Sequence, residues 1–306
     1  MSTTKSIFVR PPFIGLFAFL IVFIFQGLGH TIMIVMENWL GEEYVYHSAA
    51  LMGLVGVVML WYGMKYAGEV AGTWLGFWAG SLLWTGWVEF SFVWNANYLS
   101  IPDLMDPNVP GEIATKAEYL VMMSSIGVLM ATLMFFLFNR DTKCNLFVWF
   151  QRNLKMRTGT PNRGYQRSFA AITCLETIYV IWFFYVLLLF LYNEELFGDR
   201  HPVTYGFFFV NTVWAIYLFQ RLVRFWKVTT AIRYGIPTAI IAWNSVELVG
   251  RWHLITEFWE KPSEFALELS LIMAAIVVAA VLVIRTPQHT KAQIDDGPAP
   301  VGPGGN

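Results

Sequence analysis

Charged side chains are scarce in this sequence. Asp, Glu, Lys and Arg make up 13% of its 306 residues, where a soluble domain carries roughly 25%. With 57% hydrophobic residues, the chain has too little polar surface for a soluble globular protein of this length. Cysteine is nearly absent: Cys144 and Cys174 form no CxxC pair, so no disulfide framework is expected. GxGxxG, GxxxxGK[ST], HExxH and the histidine boxes of a membrane desaturase are also missing, which sets aside the chemistries they serve. The short alternating segments of a membrane β-barrel do not occur. No small-residue cleavage site follows the first apolar stretch, which therefore reads as a span and not as a signal peptide.

What the chain has instead is long apolar runs. Several exceed the ~18 residues needed to cross about 30 Å of hydrocarbon. The expected fold is an all-α integral membrane protein with eight transmembrane helices, at residues 13–36, 47–66, 72–98, 119–138, 168–192, 204–225, 230–257 and 265–284. Residues 1–138 form a first four-helix half and 168–285 a second. Between them lies a basic connector, 139–167, whose first part suits an amphipathic helix in the membrane interface. The Pro/Gly-rich tail, 286–306, is expected to be disordered.

Placing both termini in the cytoplasm leaves four of the 20 basic residues outside, Lys116, Arg200, Arg251 and Lys261, as the positive-inside rule requires. Carboxylates divide the opposite way, with 16 of 21 outside. The setting that fits is a bacterial inner (plasma) membrane. The basic residues are explained by topology, and nucleic acid is not an expected partner.

The halves are also expected to be parallel repeats. SLLWTGWVEFSFVWNAN (residues 81–97) matches AIIAWNSVELVGRWHLITEF (239–258), setting Glu89 on Glu247 and Trp94 on Trp252. HTI at His30 compares with ETI at Glu176, and His47 falls beside His201.

Ionisable residues inside spans are functional candidates because burying them is costly. His30 and Glu89 each lie about 25 Å from the inner end of their spans at 1.5 Å per residue. Glu247 is expected at a similar depth, His253 nearer the outer interface, and Glu176 apart from them in the inner half. His30 and Glu37 are seven residues apart and share a helix face, a spacing that His253 and Glu260 repeat. His30, Glu89, Glu247 and His253 are the candidate metal ligands, a set suited to copper, iron or zinc. Glu37, His47, Arg251 and His201 are candidate supporting residues. A plainer reading is also available: Glu247 and Arg251, at i and i+4, would neutralise each other. The tryptophans of the third span and the scattered methionines are expected to serve packing.

GHTIMIVMENW at residues 29–39, followed by His47 and an apolar span, resembles a hairpin in one of the integral membrane subunits of the copper membrane monooxygenases. That family oxidises methane or ammonia and has a similar Gly-His-Thr, Met-Glu, then His succession. The resemblance covers about a tenth of the chain, and the family's Asp and paired-His copper motif has no counterpart in the spans. It implies an oxidoreductase metal site near the outer surface and carries over His30, Glu37 and His47.

The first functional expectation is an integral membrane oxidoreductase, or a membrane subunit of one, acting on a small or apolar substrate. Other membrane subunits, or a basic soluble electron carrier docked on the acidic outer face, would be its partners. One alternative is a proton- or cation-coupled transporter using Glu89 and Glu247. Its weakness in the sequence is that only Gly235-Ile-Pro237 suggests a broken helix. The other is a scaffold or haem-binding subunit with His30 and His253 as axial ligands.

Overall fold

The computed structural model describes residues 10–105, 111, 113–142, 144–156, 168–256 and 262–285. The tail 286–306, the connector beyond 156, Glu260 and Lys261 lie outside the described residues.

The chain is an all-α, multi-pass membrane protein. Among the described residues, five helical stretches are long and apolar enough to cross a bilayer: Phe13–Gly41, Tyr44–Lys65, Ala117–Phe138, Phe169–Tyr192 and Pro202–Leu222. The first two are arms of one element, α1 (Phe13–Lys65). The expected turn over residues 37–47 contracts to one residue, Gly41, at φ 67° and ψ 172°. A side chain there would be strained, whereas glycine enters this region freely. Glu42 and Glu43, which follow the break, are good helix formers, and helix resumes after it. The arms fold back on each other, since Met33 and Met36 share a cluster with Val45, Ala49 and Met52.

The third expected span is also helical but in three parts: α2 (Glu69–Leu83), a π-helical turn (Trp84–Glu89) and α3 (Phe90–Tyr98). The loop after it is not irregular throughout, because β1 (Leu104–Met105) pairs antiparallel with β2 (Ile113–Thr115). The end of the bundle carrying this pair is called the hairpin end below. The fourth expected span bends at Ser125 between α4 (Ala117–Ser124) and α5 (Ile126–Phe138). There the Ser125 hydroxyl donates to the Met122 carbonyl and accepts the Trp182 indole N–H at 2.9 Å.

The connector forms α6 (Asn145–Asn153), with Trp149 and Phe150 exposed as an interfacial helix requires. Its buried Gln151 donates to the Leu137 and Asn139 carbonyls at the end of α5. The second half comprises α7 (Phe169–Tyr192), α8 (Pro202–Leu222), α9 (Val228–Arg251) and α10 (Ala266–Arg285). His201 caps α8, its Nδ1 accepting the Val203 N–H at 3.2 Å, and Pro202 opens the helix where a missing N–H costs nothing.

At the centre, α2 packs against both α1 and α7, and α9 also packs against both. The second arm of α1 lies on α2 and the π turn, α8 lies on α9, α4 and α5 touch α7, and α10 touches α1. Small residues allow the closest of these approaches. Gly76 and Gly80 of α2 face the backbone of Ala170 and Cys174 on α7, and a Cβ on Gly80 would come within 2.8 Å of the Cys174 carbonyl oxygen. Such small-xxx-small contacts replace the hydrophobic drive that lipid does not provide. Gly80→Leu is therefore expected to destabilise the purified protein by about 2 kcal/mol or more. Gly127→Leu, where a Cβ meets nothing within 4 Å, should leave the thermal midpoint in detergent unchanged.

Candidate functional site

Four elements bring polar side chains to one place between these helices. His30 comes from the first arm of α1, Glu89 from the end of the π turn, Tyr185 from α7 and Glu247 from α9. The π turn matters to Glu89. Its bonds run from residue i to i+5, as in Phe90 N–H to Thr85 carbonyl. One extra residue in a turn rotates the next stretch of helix by roughly 100° relative to an unbroken one. Such turns recur at functional sites.

His30 Nε2 lies 3.3 Å from Glu247 Oε1, with about a quarter of each side chain exposed. The same Oε1 accepts the Trp243 indole N–H at 2.7 Å. Trp243 and Glu247 are one helical turn apart, so α9 orients its own carboxylate before α1 supplies the partner. Glu89 is buried at 6% exposure and lines the same cavity wall as Tyr185, whose ring packs on that of Tyr119 with centroids 6.1 Å apart. Buried polar groups of this kind are tolerated only when paired. Below the site, Asn211 of α8 donates to the Ile241 carbonyl and to Ser245 of α9, at 2.7 and 2.9 Å.

Two cavities meet at this level. A vestibule of about 670 Å³ opens toward the hairpin end, lined by residues that include Glu37, Lys116, Glu118, Tyr119, Arg251 and His253. A chamber of about 60 Å³ lies on the other side, among Gln26, Ser81, Trp84, Thr85 and Asn244. His30, Glu89, Tyr185 and Glu247 line both cavities. They form the floor of one and the roof of the other.

All four expected ligands line the vestibule, and three of them, His30, Glu89 and Glu247, also line the chamber, while the fourth lies nearer the vestibule mouth. His253 follows the end of α9 with φ 57° and sits exposed at the vestibule mouth. Among the described residues no group of three or more His, Cys, Asp or Glu side chains is arranged to hold a metal ion.

Glu37 lines the vestibule, in keeping with its expected face. His47 is exposed and lines neither cavity, and His201 serves as the cap of α8. The expected neutralisation of Glu247 by Arg251 gives way to the pair with His30. Arg251 sits 4.6 Å from the Tyr192 ring instead, and Asp199, in the turn between α7 and α8, is its strongest electrostatic partner. Glu176 stands apart as expected, in a two-point ion pair with Arg233 that Cys144 Sγ joins at 3.1 Å.

Sequence reasoning missed Tyr185, Tyr119 and Trp243. Trp243 carried a readable signal in its i, i+4 spacing to Glu247; the tyrosines look like any aromatic in an apolar run. No protein-family model, curated protein or solved structure matches the chain.

Burial pushes the Asp199 carboxyl above the ordinary carboxylate range, and the Arg251 guanidinium offsets part of this. A raised folded value means that stability is complete below the unfolded value, near 4. It is lost as pH rises through the folded value. Relative to Asp199→Asn, the wild type should lose thermal stability steadily as pH rises from about 4. Melting scans of both proteins from acid to neutral pH measure this difference.

Proposed function

We propose that the chain is an eight-span membrane transporter, both termini cytoplasmic, in which His30, Glu89 and Glu247 carry a proton or cation between two sides of the bundle. The observation that carries the reading is the position of these residues, with Tyr185, between a vestibule and a separate chamber. A carrier needs its titratable groups at such a partition, reached from either side in turn.

The packing supports the repeat that this reading uses. Exchanging the halves sends α1's first arm to α7, its second arm to α8, α2–α3 to α9 and α4–α5 to α10. The helix contacts given above are kept under that exchange, whereas the contact between α3 and α4 has no comparable counterpart between α9 and α10 among the described residues. The discontinuity that the sequence lacked is the π turn ending at Glu89, while α9 runs through Pro237 unbroken. By the charge rule the hairpin end faces outward. In proteoliposomes, proton-coupled uptake is expected in the wild type and absent in Glu89→Gln and Glu247→Gln. Equal flux in both variants would overturn the reading.

The second reading, a metal-dependent oxidoreductase or a membrane subunit of one, draws on His30, Glu89 and Glu247 lining one cavity and on the resemblance around His30. Elemental analysis separates the two. Stoichiometric copper, iron or zinc lost in His30→Ala would favour the oxidoreductase. A haem held by His30 and His253 would require His30 to leave Glu247.

A further inference from the structure

Taking the transport reading as its basis, we infer that the vestibule is a binding site for an amphiphilic organic cation, which exchanges with protons on its carboxylates. Four carboxylates line the vestibule, Glu37, Glu89, Glu118 and Glu247, against two fixed cations, Lys116 and Arg251. Both cations are already engaged. Lys116 lies 3.9 Å from Glu118, and Arg251 rests on Tyr192 with Asp199 as its strongest electrostatic partner. Against the fixed cations the surplus is therefore negative, and a cleft with low-dielectric walls focuses it; His30 and His253, which also line the vestibule, reduce it as they protonate.

The remaining wall selects against a bare hydrated ion. Tyr119 and Tyr185 contribute rings, and Met33, Val93 and Leu189 contribute apolar side chains. Aromatic faces attract a desolvated organic cation. The volume of about 670 Å³ falls within the range of small-molecule sites, about 300–1,000 Å³. A cation seated over Glu89 and Glu247 takes the place of a proton on the buried Glu89 carboxyl. That proton, leaving as the cation arrives, keeps the charge in balance.

Tetraphenylphosphonium and tetraphenylborate carry the same four phenyl rings and opposite charges, so together they separate charge from hydrophobicity. Equilibrium dialysis of each against the purified full-length protein in detergent should give saturable binding of the phosphonium alone, weakening as pH falls. Glu247→Gln should weaken it at least about ten-fold. Glu37→Gln, near the mouth, should weaken it also and keeps the test decisive if Glu247→Gln does not fold. Glu69→Gln, outside the vestibule in an ion pair with Lys227, should leave it unchanged.

Equal binding of both ions, binding of neither, or phosphonium affinity indifferent to both vestibule variants would overturn the inference. Failure of the transport reading looks different. Phosphonium binding without any flux in proteoliposomes upholds the cation site and rejects the transporter, whereas proton-coupled flux without phosphonium binding rejects only the substrate class.

Discussion

Glu247 projects from α9 into the interior of the bundle, where about a quarter of its side chain stays exposed, and it is held there by two partners. Trp243, one turn earlier on the same helix, donates an indole N–H, and His30 of α1 closes against the same oxygen. Both side chains stay partly exposed, so water screens the pair and its contribution is that of a partly solvated contact, on the order of 1 kcal/mol. The contact does more than join two side chains. It fixes the depth at which α1 and α9 meet, and that depth is where the vestibule ends and the chamber begins. Glu89 reaches the same level from a third helix, beside Tyr185, with Tyr119 packed behind it.

This convergence depends on helices that approach closely. Gly76 and Gly80 allow α2 to lie against the backbone of α7, and Ala18 meets Gly235 where α1 crosses α9. Larger residues at these crossings would move the helices apart and open the space between His30, Glu89 and Glu247. The single-residue break at Gly41 matters for a similar reason. It returns the second arm of α1 to pack on α2 and the π turn, so the segment that presents Glu89 is supported on both sides.

The sequence made the spans legible because hydrocarbon thickness imposes a length and an apolarity that few other constraints imitate. It also made Glu89, Glu247 and His30 legible, since ionisable residues stand out in apolar runs. Pairing was harder to read. Arg251 is the nearest cation to Glu247 along the helix, and spacing alone favoured it; the tertiary fold supplied His30 and left Arg251 with Tyr192 and Asp199. The π turn left no mark that a periodicity argument could find, because one inserted residue in WTGWVE changes geometry without changing composition. His253 looked like a ligand by its place near the outer end of the seventh expected span, yet the helix ends at Arg251 and turns it toward the mouth. Two short strands in an acidic, proline-containing loop were likewise beyond pattern reading.

The account rests on α1 and α9 being tied through His30 and Glu247 as one unit, and a double-mutant cycle tests this most directly. Stability in detergent would be measured for wild type, His30→Ala, Glu247→Gln and the double variant. The account predicts a coupling energy of about 1 kcal/mol or more, with the double variant less impaired than the sum of the singles. Losses that add to within ~0.5 kcal/mol would mean that the two residues stand near each other without acting together, and the shared site would have to be abandoned.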